Sequence, residues 1–233
     1  MDEIETYRVI PVRMGTSNAY LVSDREYTLL IDAGNKGKGP YLEEVLKKAG
    51  LDVTDIDMII ITHSHYDHVG ALAEIRDSSG TIVLIHREEG DFLASGCTPF
   101  PEGTMICSKV INRIGGLFLS EKAQYTPVNA DILIDGECEL IEPGYSVKII
   151  STPGHTAGSV CVIVNNESAF VGDTLFNAIP GSSVYPPFAN DRKTLMKSWE
   201  KLLETGCKIF YPGHGTAFSR EKLEKSFEKK RLG

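Results

Sequence analysis

Short runs dense in β-branched and aromatic residues alternate along the chain with stretches whose apolar positions recur every three or four residues, the periods of strand and helix. YRVIPV at 7–12, NAYLVS at 18–23 and YTLLID at 27–32 predict three consecutive strands in a meander. From Gly39 the period changes. Tyr41, Leu42, Val45, Leu46 and Ala49 share one helical face, and Gly50 is placed to stop the helix. IDMIIIT at 56–62 then predicts a buried strand that runs into a loop at 63, followed by a helix over 69–79, a strand TIVLI at 81–85 and a helix over Arg87–Ala94.

Residues 95–129 break this rhythm, with Gly and Pro at both ends of an amphipathic stretch, Met105–Leu119. A long insertion with partial helix shapes or covers a site more often than it fills a core, which makes 95–129 a lid candidate. Strand patterns return with DILI at 131–134, YSVKIIS at 145–151, SVCVIV at 159–164 and SAFVG at 168–172. A helix over 191–204, a strand CKIFY at 207–211 and a charged helix from Ser219 follow. No linker, repeat or low-complexity segment interrupts the pattern, so one domain over 1–233 is the simplest expectation, with layered helix and sheet.

Composition removes several function classes. The 233 residues carry 24 basic and 32 acidic side chains, a formal charge of −8. A nucleic-acid or anionic-membrane surface needs clustered Lys and Arg, and the one such cluster, Lys229, Lys230 and Arg231, reads as a solvated helix end. The acidic first fifteen residues lack the features of a secretory signal, and no apolar run approaches the roughly 20 residues that span a bilayer, so a cytoplasmic protein acting on a small molecule is expected. Five scattered cysteines without a CxxC pair read as buried apolar residues or free thiols.

The histidines carry the chemistry. Three of the six lie in Thr62-His63-Ser64-His65-Tyr66-Asp67-His68, directly after the strand at 56–62. Imidazoles and a carboxylate so close together at a rigid strand end are what a metal site requires. His155, in STPGHTAGS, and His214, in YPGHG, each follow a strand and are flanked by Gly and Pro, while Asp173 ends another strand in FVGDTLF. His86 lies outside these loops and reads as structural. Tyr66, Phe176, Tyr185 and Phe188 are aromatics that could line a pocket.

The HxHxDH run at 63–68, the PGHT His155, the GDT Asp173, the PGHG His214 and the early LLIDAG at 29–34 occur in an order that resembles the metallo-β-lactamase-fold superfamily of metallohydrolases. The resemblance implies an α/β fold: an αββα sandwich of two mixed sheets with helices outside and metals at one edge. It implies that His63, His65 and His155 bind one metal, that Asp67, His68 and His214 bind a second, and that Asp173 bridges both, Asp67 and Asp173 being the catalytic carboxylates. Two Zn2+ per chain are expected, with Fe or Mn as alternatives, and a bridging hydroxide of lowered pKa as nucleophile. Asp32 would orient a ligand His through its other ring nitrogen, or simply end a strand in a Gly turn.

Departures from subfamily patterns narrow the substrate. None of the cysteines occupies a metal-ligand loop, which disfavours a β-lactamase of the Cys-containing type. Nineteen residues follow His214, too few for the glutathione-binding helical domain of full-length glyoxalase II. His65 stands where flavodiiron proteins carry Glu, and Phe176 where quorum-signal lactonases usually place Tyr. The chain thus looks most like the short glyoxalase II-like hydrolases, acting on a thioester, ester or lactone carbonyl. The alternatives are a mononuclear-iron persulfide dioxygenase and a non-enzymatic metal-dependent sensor.

Overall fold

The computed structural model describes residues 7–24, 26–100, 102–104, 123–141, 145–179 and 181–231. The amphipathic stretch 105–119 lies outside them. Strands β1 (Arg8–Arg13), β2 (Asn18–Ser23) and β3 (Thr28–Ile31) form the expected antiparallel meander. β4 (Met58–Ile60), β5 (Ile82–His86) and β6 (Ile132–Ile134) then add in parallel, in the spatial order β1 to β6. Helices α1 (Gly39–Lys48), α2 (Tyr66–Val69), α3 (Leu72–Ser79) and α4 (Arg87–Ser95) lie in the connections.

The helix expected over 69–79 is divided. Ala71 donates its N–H to the carbonyl of Gly34 and stands as the N-cap of α3, so α2 ends at Val69 and α3 begins at Leu72. The second sheet has the order β12-β11-β10-β9-β8-β7, from β7 (Cys138–Ile141), β8 (Ser146–Ser151), β9 (Val160–Val164), β10 (Ser168–Gly172), β11 (Ile209–Pro212) and β12 (Phe218–Ser219). Only its β10–β11 pair is parallel, so both sheets are mixed. Sequence patterning missed β7 and β12. β7 is a four-residue edge strand, CELI, with a single acidic residue, and β12 has two residues.

Side-chain alternation explains how the layers close. Leu29, Ile31, Met58, Ile60 and Leu84 of the first sheet face Val147, Ile149, Val162, Val164 and Phe170 of the second. The intervening Leu30, Ile59, Val83 and Ile85 pack on Leu42, Leu46, Leu72 and Leu93 of the helices. On the far side Cys161, Ile163, Ala169 and Phe210 meet Leu195, Trp199 and Leu202 of α5 (Arg192–Glu204) and Leu223 of α6 (Arg220–Arg231). A strand covered on both faces needs no polar side, which is why MIII and VCVIV are continuous apolar runs. The architecture is the expected αββα sandwich, and no helix among the described residues is long and apolar enough to cross a membrane.

Candidate metal centre

Strand direction brings the distant motifs together. β3 and β4 are parallel neighbours, as are β10 and β11, so the loops after them open at one edge. β8 runs the same way as β10, since β9 is antiparallel to both, and the loop with His155 joins that edge. Asp32, the 63–68 run, His155, Asp173 and His214 therefore converge.

All seven proposed ligands meet there. The side chains of His63, His65 and His155 present ligand atoms within 4.8 Å of one another, as do those of His63, His68 and Asp173, and those of Asp67, His68 and His214. His65 Nδ1 and His155 Nε2 are 2.9 Å apart. Asp173 lies between the groups. Its Oδ1 is 3.3 Å from His68 Nε2, and its Oδ2 is 3.6 Å from His155 Nε2 and 3.4 Å from His214 Nε2. Asp67 Oδ2 is 3.3 Å from His214 Nε2. The close packing needs Gly213, where a Cβ would stand 2.5 Å from His68 Cε1 and 2.6 Å from Asp173 Oδ1.

Electrostatics divide the cluster in two. Burial holds the imidazoles of His63 and His155 below the ordinary range and pushes His65 down to about 3, with neighbouring rings adding to the effect, so this group is neutral. At His68 and His214 burial is again the largest single effect and acts in the same direction, but the neighbouring carboxylates, Asp173 foremost, together outweigh it. Aided by Asp32, Asp173 raises His68, and aided by Asp67 it pushes His214 up to about 10. Burial would raise Asp67 and Asp173, yet His214 and His68 hold both carboxyls below the usual range. Protons on His68 and His214 thus stand where a cation would neutralise the carboxylates.

The donor set fits a metal. His63 Nε2 and His65 Nε2 are buried without a hydrogen-bond partner among the described residues. Each unsatisfied buried polar group costs about 1–3 kcal/mol, and a borderline cation that accepts nitrogen and oxygen donors removes that cost. Imidazole with carboxylate suits Zn, Fe or Mn, whereas thiolate is missing from these groups.

Several side chains hold this arrangement. Asp32 accepts from His68 Nδ1 at 2.8 Å and from the backbone N–H of Thr62 at 2.8 Å, at a left-handed φ of 60° that Asp tolerates better than most residues. It orients an imidazole rather than merely ending a strand. His155 Nδ1 is fixed on the carbonyl of Phe188 at 3.0 Å, and His214 Nδ1 on that of Thr16 at 2.8 Å. His86 stays outside: its Nδ1 accepts from the N–H of Glu88 and caps α4.

Sequence reading missed other supports. Asn18 donates through its backbone N–H to Gly213 and through its amide to Pro212 and Gly215, and Tyr20 donates its hydroxyl to Pro212. Trp199 Nε1 donates to the carbonyl of Thr174 beside Asp173. No local signal announces these, because their partners lie on other strands. Of the aromatics, Phe176 stacks on His214 at 4.9 Å and Phe188 meets Phe100, which itself lies 6.4 Å from His65. Tyr66 and Tyr185 serve core packing instead.

The sequence model described as "Metallo-beta-lactamase superfamily" matches residues 12–214. The chain belongs to that superfamily. Among its relatives, a probable metallo-hydrolase of Methanocaldococcus jannaschii is 32% identical over 89% of this chain and 94% of its own length. The probable metallo-hydrolase YqgX of Bacillus subtilis is 30% identical over 84% of this chain and 83% of its own. An archaeal metallo-beta-lactamase superfamily protein from Sulfolobus tokodaii shares the fold with a TM-score of 0.71 at 24% identity, over 97% of this chain and 86% of that one. An atrochrysone carboxyl ACP thioesterase of Aspergillus fumigatus is 24% identical over 92% of this chain and 56% of its own length. Metallo-hydrolase chemistry at a His-rich centre is thus the superfamily context of this site.

Proposed function

We propose that the protein is a dinuclear, zinc-first hydrolase of a thioester or related acyl bond, of the short glyoxalase II-like kind, with a small-molecule substrate. The observation that carries this reading is the place of Asp173, whose two oxygens face imidazoles of both ligand groups. A carboxylate so placed can hold two cations as a pair. His63, His65 and His155 would hold one cation, and Asp67, His68 and His214 the other. Bound there, the cations supply Lewis acidity toward a carbonyl oxygen and a lowered pKa for a captured water.

The chain's own groups do the rest. Neutral His63, His65 and His155 offer lone pairs without first losing protons. Asp67 and Asp173 are held as carboxylates, so they act as ligands and proton acceptors rather than as acids. A thiolate leaving group needs no proton donor, which favours a thioester over an amide. Phe176, Phe100 and Phe188 give the site an apolar wall against which an acyl group can lie. The thioesterase relative supports the same bond type.

Metal analysis joined to two assays on one preparation tests the reading. Near two metals per chain, thiol release from simple thioesters and no oxygen uptake are expected. Asp173→Ala should release at least one ion and abolish turnover while the fold, followed by circular dichroism, persists. One iron per chain with oxygen uptake on glutathione persulfide, and no thiol release, would replace the hydrolase with the dioxygenase.

A further inference from the structure

Glu89, in the first turn of α4, is 1% exposed and makes no ion pair among the described residues. A buried carboxylate without a counter-charge is costly unless hydrogen-bond donors satisfy it. Three do so here. Oε2 accepts from the backbone N–H of Ser64 at 3.0 Å and from the Ser64 hydroxyl, and Oε1 accepts from the backbone N–H of Gly158 at 3.2 Å.

These donors have a specific origin. Ser64 stands between His63 and His65, and Gly158 closes the turn that carries His155. One side chain therefore joins the two backbone segments that deliver three imidazoles, across the junction where His65 Nδ1 and His155 Nε2 approach to 2.9 Å. The contact is shaped for Glu. A Cβ at Gly158 would stand 2.6 Å from Glu89 Cγ, so only glycine lets the carboxylate reach that N–H. Ser64 is held from its other side by Thr98, whose hydroxyl donates to its carbonyl at 2.6 Å.

We propose that Glu89 is a positioning residue that sets the spacing of the His63, His65 and His155 group and thereby its metal affinity; this rests on the reading that those imidazoles bind a metal. A role confined to anchoring α4 would change the stability of the protein but not the affinity or spectrum of one metal group.

Cobalt titration of the metal-free 233-residue chain separates these. The readouts are visible absorption bands, affinities from chelator competition, and melting temperature. His155→Gln serves as the reference that disables the group. Glu89→Gln keeps the shape but turns an NH2 toward one of the backbone N–H donors. It should weaken Co2+ at this group by about 10- to 100-fold and shift its bands, while the Asp67, His68 and His214 group binds as before. Ser64→Ala keeps both backbone donors and should shift the same bands with a several-fold loss, which serves the test if Glu89→Gln does not fold. Wild-type affinities and bands in Glu89→Gln, or in Ser64→Ala where only that variant folds, would overturn the positioning role whatever the melting temperature. If His155→Gln also binds Co2+ like the wild type, the metal reading fails and the positioning role fails with it.

Discussion

Asp32 Oδ2 lies 2.8 Å from Nδ1 of His68, and this pair ties the third strand of the first sheet to the ring that faces Asp173. The same carboxylate accepts the N–H and hydroxyl of Thr62, one residue before His63. It thereby fixes a ring and the backbone beside it. Asp32→Ala should lower metal affinity at the Asp67, His68 and His214 group by about 10- to 100-fold, with a smaller loss at the other group, as read by chelator competition. Equal losses at both groups would show that Asp32 supports the fold rather than His68.

His86 and His155 differ in what their rings touch. His86 caps α4 through Nδ1, whereas His155 Nε2 points at His65 and Asp173. His86→Gln should leave metal content and turnover within about threefold and lower stability by about 0.5–2 kcal/mol, the usual worth of an N-cap. His155→Gln should cost turnover far more, because it removes a donor facing the reaction site. Denaturant melts and kcat/KM on one preparation check both halves.

Metal loading should respond to pH differently at the two groups. In the metal-free protein His214 is pushed up to about 10, so a cation entering its group at neutral pH displaces a proton, and apparent affinity rises with pH toward 10 by about tenfold per unit for each proton released. His65, pushed down to about 3, holds no proton at neutral pH, and its group should show little such dependence. The same shifts act on folding. The raised His214 contributes stability that is present below its unfolded value near 6.5 and is lost as pH rises through about 10. The lowered His65 costs stability as pH falls from about 6.5 to 3, because the unfolded chain then binds the extra proton. Calorimetric proton release on metal binding, and melting against pH for the metal-free chain, test both statements.

Phe100 is 40% exposed, stacks toward His65 and meets Phe188 edge-on at 5.2 Å, on the first described part of the 95–129 insertion. A side chain whose ring lies 6.4 Å from an imidazole but presents no ligand atom should affect substrate more than metal. Phe100→Ala should raise KM for thioesters with bulky acyl groups several-fold and leave metal content unchanged. An unchanged rank order of substrates would remove the insertion's first segment from the site.

Much of this protein was legible in local sequence because its signals are local. Apolar runs such as MIII and VCVIV reveal strands buried on both faces, and the HxHxDH spacing keeps His63, His65, Asp67 and His68 together after one strand end, across the loop and the short helix α2 that follows. Family resemblance extended the set to His155, Asp173 and His214 and gave the sandwich its form. The short edge strand Cys138–Ile141 escaped because four residues, one of them Glu139, set between Glu137 and Glu142, are too few to establish a period. Tertiary structure alone decided the pairings between remote segments. Glu89 meets Ser64 and Gly158, Asn18 meets the His214 loop, and Asp32 chooses His68, each across 25 to 197 positions of chain. Residue type limits what such a group can bond, but which donor lies within 3 Å depends on how two sheets twist and close over a shared core, and no window of sequence contains that.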